Sequence, residues 1–402
     1  MKKRRKKKQN KNNKTLKIIR IISLVCVFIL CLEFSYLVIR HYFNNNKKQY
    51  FNGTNDYIYV DNNYITIGSD NNNDKMLEKA KISKYNEKKE EEWTEIYNKS
   101  NTSSYLGVDI DNEDNILVVG NYTNKKNSKK ALLIKYNKDG EVLLEKNYKE
   151  LDNTEFTNIK VVEDGYIVTG TTIYDEKTLG NKPGGALLIK YDKEGKLVWK
   201  QNFGNNKNAI YNDLLVYNNY IYTVGKYSNN VGIVSKYSLD GELISYETFN
   251  NIDEFGFTGI TINNDNLVIS GGKVNNSSNT DGVLIKLDLD CDYIDQVLYK
   301  EKTKDRFNKV ITDSYNNIVV IGSRAVNNKR NIYNYKGLIG KYKSNLKKID
   351  VIEYGDNKDD HFTQIREVNN NYLVSGYSLY KEEGYLSKFI TYSDALKVLE
   401  VR

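Results

Sequence analysis

The chain has 402 residues with one Pro, three Cys and two His, and a formal net charge of +8. That inventory excludes a Cys/His zinc site and, because Cys26 and Cys31 fall in an apolar N-terminal stretch, any disulfide within the remainder. The charge is confined to the N-terminus: residues 1–17 hold ten Lys/Arg and no acid, which leaves 50 basic against 52 acidic residues, a net of −2, over 18–402. A nucleic-acid footprint needs basic residues on the folded part, so that partner is excluded as well.

In chain order, residues 1–17 form a basic tail and 18–43 an apolar segment. Between Arg20 and Arg40 lie 19 residues, IISLVCVFILCLEFSYLVI, broken by one charge at Glu33. As a helix this stretch spans about 28 Å, the hydrocarbon thickness of a bilayer. The basic flank sets the expected orientation, with the tail in the cytoplasm and the rest outside. No small-residue cleavage site follows, and Val25 and Leu30 stand where a lipobox needs a small residue before Cys26 or Cys31. An uncleaved single-pass signal-anchor in the cell membrane is therefore expected. Glu33 is read as snorkelling to the outer interface, and residues 44–56 as a linker.

From residue 57 onward the sequence repeats. Lys84, Lys135, Lys190, Lys236, Lys286 and Lys341 each stand 21 residues before an aromatic: Tyr105, Phe156, Tyr211, Phe257, Phe307 and Phe362. Each unit opens with aromatic-x-x-aliphatic, Tyr57/Val60 being the first, and runs through a polar turn to a β-branched stretch ending in glycine. A third apolar run carries the lysine, and a tight turn such as NKDG (137–140) or DKEG (192–195) opens a fourth. Short apolar or alternating runs bounded by Asn/Asp/Gly turns are strands. Four strands per unit and seven units predict an all-β seven-bladed propeller over 57–402. No stretch after residue 44 sustains the 3.6-residue apolar period of an α-solenoid. Ring closure is expected from LKVLEV (396–401) packing on YIYV (57–60).

The segments DGYIVTG (164–170) and ALLIKYDKEGKLVWK (186–200) resemble the bacterial cell-surface propeller repeat, and Asp192, Gly195, Lys196 and Trp199 are similar to the repeat tail of quinoprotein-like propellers. The resemblance covers 57–402 and implies the fold, not a chemistry. Trp93 follows Lys84 by nine residues as Trp199 follows Lys190, so both are fourth-strand packing positions. The recurring lysines are read as fold elements that lay their stems along the sheet and point the charge outward. The 34 tyrosines accompany abundant Asn, Lys and Ile, the codon usage of an AT-rich genome, and are read as strand residues rather than a ligand surface.

Chemistry-bearing residues are sparse. Cys291, in the turn DLDCD, is read as inert. A Ser-His-Asp system has only His361 to draw on and no nucleophile motif beside it. DIDNED (109–114) and DLDCD (288–292) have calcium-like spacing but lack the turn glycine, so no metal and no cofactor is expected. From glycine to lysine the count runs from 11 to 20, whereas lysine to aromatic is constant. That places the variation in the connection between strands two and three, around one channel mouth, where recognition is usually built. The long members are 171–184, 272–281 and 323–336. The blade-to-blade links on the same face collect Asp152 and Glu155, Asp253 and Glu254, Asp305 and Arg306, and Asp359, Asp360 and His361. Acids gathered in a ring favour a cationic or metal-bridged ligand.

The expected function is a membrane-anchored binding or scaffolding module for a membrane-protein or cell-wall partner. The alternative is an extracellular propeller enzyme, either a glycan hydrolase or lyase needing a placed carboxylate pair, or a quinone-dependent dehydrogenase.

Overall fold

The computed structural model describes residues 54–71, 78–125, 128–148, 150, 153–172, 185–204, 209–276, 279–301, 303–327, 333–355, 359–380 and 384–401. The basic tail, the apolar segment 18–43, most of the linker and Asp152 lie outside them. Among the described residues no helix is long and apolar enough to cross a membrane.

Among the described residues, twenty-eight strands form seven antiparallel four-stranded sheets, each built from consecutive strands with none borrowed from another unit. The first strands are β1 (Thr54–Val60), β5 (Ser103–Ile110), β9 (Thr154–Val162), β13 (Ile210–Tyr217), β17 (Ile252–Asn263), β21 (Asp305–Thr312) and β25 (Asp359–Val368). They pack on one another in order, and β25 packs on β1, so they line the central channel. The fourth strands hold only exposed and half-buried residues and form the rim. Each buried apolar cluster draws on the facing sheets of neighbouring blades. The seven-bladed all-β propeller expected from the repeat is what the chain forms.

Local sequence explains the hairpins. Asp61–Asn62, Asn218–Asn219, Asn264–Asp265 and Asn369–Asn370 hold positive φ at both positions, the mirror-image turn whose twist matches paired strands. The turns between strands three and four need one left-handed residue. Gly140, Gly195 and Gly241 supply it in three blades, and Lys89, Cys291, Leu346 and Leu396 adopt it in the others. Cys291 is buried there, and burial pushes its thiol up to about 11, which agrees with an inert residue.

The constant spacing of 21 reflects one packing contact. In the second to seventh blades the first-strand aromatic inserts against the small residue that opens the third strand of the blade before it. A Cβ on Gly232, Gly282 or Gly337 would meet Phe257, Phe307 or Phe362 at 2.6, 3.2 and 2.6 Å. Directly after the aromatic each first strand bulges by one residue. The bulge carries its backbone so close to the second strand that a Cβ at Gly120, Gly225 or Gly322 would lie about 2 Å from a carbonyl oxygen.

The first blade departs from the expected register. Gly68 faces Thr54, not Tyr57. Thr54 therefore holds the aromatic position and Tyr57 the aliphatic one, a shift of three that the short 11-residue run from Tyr57 to Gly68 had signalled. Closure differs too. Tyr57, not the last strand, is the main contact: its hydroxyl donates to Leu373 O, its ring meets Phe389 at 5.5 Å, and its carbonyl accepts from Arg366, which also pairs with Asp56 at 3.3 Å. The strand formed by Val398–Val401 adds one ion pair, Glu400 with Lys89.

The repeated lysines are staples rather than outward-pointing charges. Lys236 pairs with Asp290 at 2.8 Å and Lys286 donates to Ser344 O at 3.0 Å, each reaching the third-to-fourth-strand turn of the next blade. Lys341 does the same to Asp394 and also meets Asp313 at 3.2 Å. Lys135 and Lys190 turn to Asp111 and Asp164 of their own blades at 2.8 and 2.7 Å. In the seventh blade the position belongs to Thr391, opposite Leu373, whereas Lys388 faces Gly376. Trp93 and Trp199 donate to Lys138 O and Leu239 O in the following blade at 3.0 and 3.1 Å, as fourth-strand packing residues should.

Tyr105 and Tyr211 bond the hydroxyls of Tyr136 and Tyr237, both at 2.7 Å. Where the anchor is Phe307 or Phe362, the matching hydroxyls of Tyr342 and Tyr392 are buried without a partner. Phe307 meets Tyr342 at 6.3 Å and 75°, close to the 6.4 Å and 81° of Tyr211 and Tyr237. Phe307→Tyr is therefore expected to stabilise the propeller by about 1 kcal/mol, read as a higher unfolding midpoint. Tyr211→Phe should cost a similar amount. A Phe307→Tyr chain less stable than the parent would show that the pocket has no room for the hydroxyl.

Candidate functional site

First strands begin on the face that carries the blade-to-blade links, and the hairpins between strands two and three open on it as well. Two of the expected long loops are mostly strand. The strands β18 (Asn266–Asn276) and β19 (Asn279–Leu287) pair out to Asn276 opposite Asn279, and β22 (Ile318–Asn327) and β23 (Tyr333–Tyr342) pair out to Asn327 opposite Tyr333. Length variation there lengthens the sheet instead of adding irregular loop. The third, 171–184, lies almost wholly outside the described residues.

On this face a cleft of about 780 Å³ spans the mouth over the fourth to seventh blades. That volume lies in the range of small-molecule sites. One wall comes from β17, whose bulge is wider than in any other first strand: Ile252 faces Lys273, and the next paired residue is Phe257 opposite Gly271. The four residues between bend around Gly256 at φ 77° and leave the Phe255 ring 57% exposed. Gly272 permits this, because a Cβ there would lie 2.1 Å from the Asp253 carboxylate.

Asp253 and Arg306 form a partly buried ion pair beneath that wall. Phe255 N donates to Asp253 at 3.1 Å, Arg306 Nε donates to Asn308 Oδ1 at 2.9 Å, and the guanidinium lies 4.4 Å from the Phe255 ring centre. Burial raises Asp253 and lowers Arg306, and each partner opposes the shift of the other. Across the cleft His361 stacks on Tyr377 at 5.0 Å and lies against Tyr335 at 4.6 Å with the two rings tilted by 38°. Burial lowers its imidazole to about 4, so it is neutral at pH 7.

The cleft thus holds four of the residues expected at this mouth, Asp253, Glu254, Arg306 and His361. The other described ones point elsewhere. Glu155 accepts from Asn121 and Lys129 at 3.0 and 2.9 Å. Asp359 accepts Tyr335 N–H at 2.8 Å, and Asp360 turns into the seventh blade to Ser378 and to Lys388 at 3.4 Å. Asp305 is fully buried, accepting Glu301 N–H at 3.2 Å with Arg324 at 3.9 Å. The ring of acids is therefore largely offset from within, which removes the premise for a cationic ligand.

Sequence reasoning missed Phe255, Tyr335 and Tyr377, and also the residue following each anchor aromatic. Thr157, Asn212, Thr258 and Asn308 donate to the anchor carbonyls of the next blade, Tyr211, Phe257, Phe307 and Phe362, at 2.6, 2.8, 3.2 and 2.7 Å. Their recurrence as aromatic-Asn/Thr was a readable signal. Among the described residues no group of three or more His, Cys, Asp or Glu is arranged to hold a metal, and Lys135 and Lys236 hold Asp111 and Asp290 of the two calcium-like turns. The cleft carboxylates, Asp253 and Glu254, are chain neighbours, and the first is closed by Arg306.

No protein-family model matches the chain, and no curated protein matches it in sequence. Solved structures similar to it include a puromycin hydrolase mutant (7% identity, TM-score 0.57, covering 89% of this chain and 54% of that one). They also include the periplasmic gluconolactonase of Pseudomonas aeruginosa (8%, 0.50, 84% and 94%) and an acylaminoacyl peptidase of Pyrococcus horikoshii (8%, 0.50, 88% and 53%). The chain spans about half the length of the first and third. At such identities the likeness shows the fold alone.

Asp305 supplies a pH test. Burial raises its carboxyl to about 7, against the pull of Arg324. Between its ordinary value near 4 and about 7 the folded chain holds a proton that the unfolded chain does not, so this group's contribution to stability falls as pH rises through that window. In Asp305→Asn that loss disappears. Melting temperatures of variant and parent should differ little at pH 4 and diverge in favour of the variant up to pH 8. A difference that does not change with pH would mean that Asp305 ionises normally in the fold.

Proposed function

We propose that this chain is a membrane-anchored extracellular propeller that binds or scaffolds a protein or cell-wall ligand through the cleft over its fourth to seventh blades. The observation that carries the reading is the state of the ionic groups in the cleft. Asp253 and Arg306 are locked to each other and His361 is a neutral, stacked ring, so the wall offers shape and planar surfaces without a free acid–base pair. A glycan hydrolase needs two placed carboxyl groups flanking the bond, and Asp253 is already engaged. The anchor is supported by the apolar stretch between Arg20 and Arg40 and its basic flank.

Two residues on opposite faces test this. Phe255 lines the cleft, and Tyr315, 61% exposed, sits in a turn on the far side. A photo-crosslinking amino acid at 255 should capture a cell-surface partner that the same group at 315 does not. Identical capture at both positions places the site elsewhere. On intact cells Tyr315→Cys should react with a membrane-impermeant maleimide, while the parent, whose Cys291 is buried, stays unlabelled until denatured. A silent Tyr315→Cys that reacts only after lysis would put the propeller inside the cell.

A further inference from the structure

Resting on the cleft as a binding site, the geometry points to a class of ligand. We propose that the cleft over the fourth to seventh blades binds a neutral oligosaccharide, with one sugar ring stacked on Phe255 and a second on the Tyr335–His361–Tyr377 aromatic wall.

Three observations converge on that class. The first is the planar surface. Phe255 is held at the mouth by a bulge that no other blade has, and it stays 57% exposed although Arg306 packs on it. Four residues looping out of a strand cost pairing, and such departures from a repeat persist where function needs them. The opposing wall is a row of three contacting rings, fixed because His361 and Tyr377 are directly paired across β25 and the strand Asn371–Tyr380. Pyranose rings present a flat C–H face, and aromatic faces meet such surfaces with little loss of side-chain freedom.

The second is charge. Arg306 is neutralised by Asp253 at its back, so an anionic ligand must compete with a partly buried carboxylate and approach Glu254 as well. A cationic ligand finds the Asp253 carboxylate already paired with Arg306 and has the Lys304 chain beside it on the same lining. A ligand without charge disturbs neither. The third is the rest of the lining: Asn230, Asn279, Thr280, Ser323 and Thr363 bring amides and hydroxyls, the groups that exchange hydrogen bonds with sugar hydroxyls in both directions. A peptide strand would need a sheet edge at this mouth. The first strands have their second-strand neighbours on one side and face the channel on the other, and Thr258 and Asn308 already occupy the carbonyls of Phe307 and Phe362.

The test uses the full-length chain in detergent, titrated calorimetrically with maltotriose, cellotriose and N-acetylchitotriose, and in parallel with trigalacturonate and the capped tripeptide of alanine. At least one neutral trisaccharide is expected to bind, with an affinity that does not change between low and high salt. Phe255→Ala and Tyr377→Ala should each weaken it by roughly tenfold, Tyr377→Phe should preserve it, and Tyr315→Ala should leave it untouched. Phe255 is exposed, so its variant keeps the fold, which an unchanged melting curve confirms. If trigalacturonate or the tripeptide binds and Phe255→Ala abolishes it, the site stands and the neutral-oligosaccharide assignment falls. Should binding of a neutral trisaccharide survive both alanine variants, the cleft is not where it sits. No binding by any of the three neutral sugars up to about 10 mM overturns the proposal.

Discussion

The whole ring depends on one contact, the insertion of an inner-strand aromatic into the sheet of the preceding blade. Six such rings are almost wholly buried against Ala or Gly, and each contributes roughly 1.5–3 kcal/mol of apolar burial. The contact also dictates its surroundings. The third strand must open with a small residue, and the second strand must carry glycine where the bulge brings a carbonyl close. Everything between the lysine and the aromatic keeps one length, because a longer turn or link would withdraw the ring from its socket. The stretch between glycine and lysine has no such duty. Its hairpin projects past the sheet, so it is free to lengthen, and it does so as added strand.

The lysines form a second tier on the far face. Four of the six reach from one blade to a turn of the next, two of them to a carboxylate, and the two tryptophans reach to the same turns. Ion pairs with one exposed partner are worth little singly. Their role is geometric, holding the angle between blades whose inner edges the aromatics have already fixed. At the seam between the last blade and the first the lysine is replaced by Thr391, and Arg366 with Tyr57 takes over from the inner side. The seam thus adds a guanidinium at the channel, whereas four of the other six junctions rely on the repeat lysine's ammonium at the turns.

How much was legible follows from which residues are tied to that contact. The spacing of 21 could be read because both of its ends are fixed by it. The first blade was misregistered because Tyr57 is aromatic by identity but occupies the aliphatic slot, and because Thr54, in the true slot, carries no hydrophobic signal. In the seventh blade no aromatic follows to fix the lysine position, and because the glycine-to-lysine stretch has no constant length, the sequence does not tell Lys388 from Thr391 as its occupant. At the mouth the acids could be seen, but not which way they turn. Period-two alternation from the anchor settles it. The residue before the aromatic faces the channel, as Arg306 and His361 do, and the one before that faces the blade, as Asp305 and Asp360 do. Phe255 escaped because a wide bulge breaks the alternation that would have placed it.

A repeat architecture gives an internal reference that single-domain folds lack. Whatever recurs in every blade is answerable to packing, so functional residues are to be sought where one blade breaks the pattern and packing gains nothing from the break. Most departures here have a packing reason: Cys291 fills a turn that glycine fills elsewhere, and Thr391 is relieved by Arg366. The bulge at Asp253–Gly256 gains little: Asn212 donates to Phe255 O at 2.8 Å and Arg306 lies on the Phe255 ring, but its own strand pairing is lost. It interrupts pairing, demands glycine at two positions, places an apolar ring in solvent, and buries an ion pair that two apolar residues could replace at no loss of stability. Such a feature lowers stability in a fold otherwise built by repetition. It lies on the same mouth as the stacked His361 wall and faces the only first strands that bring arginine and histidine to the position before the anchor. The asymmetry of the ring, not its symmetry, is what marks the site.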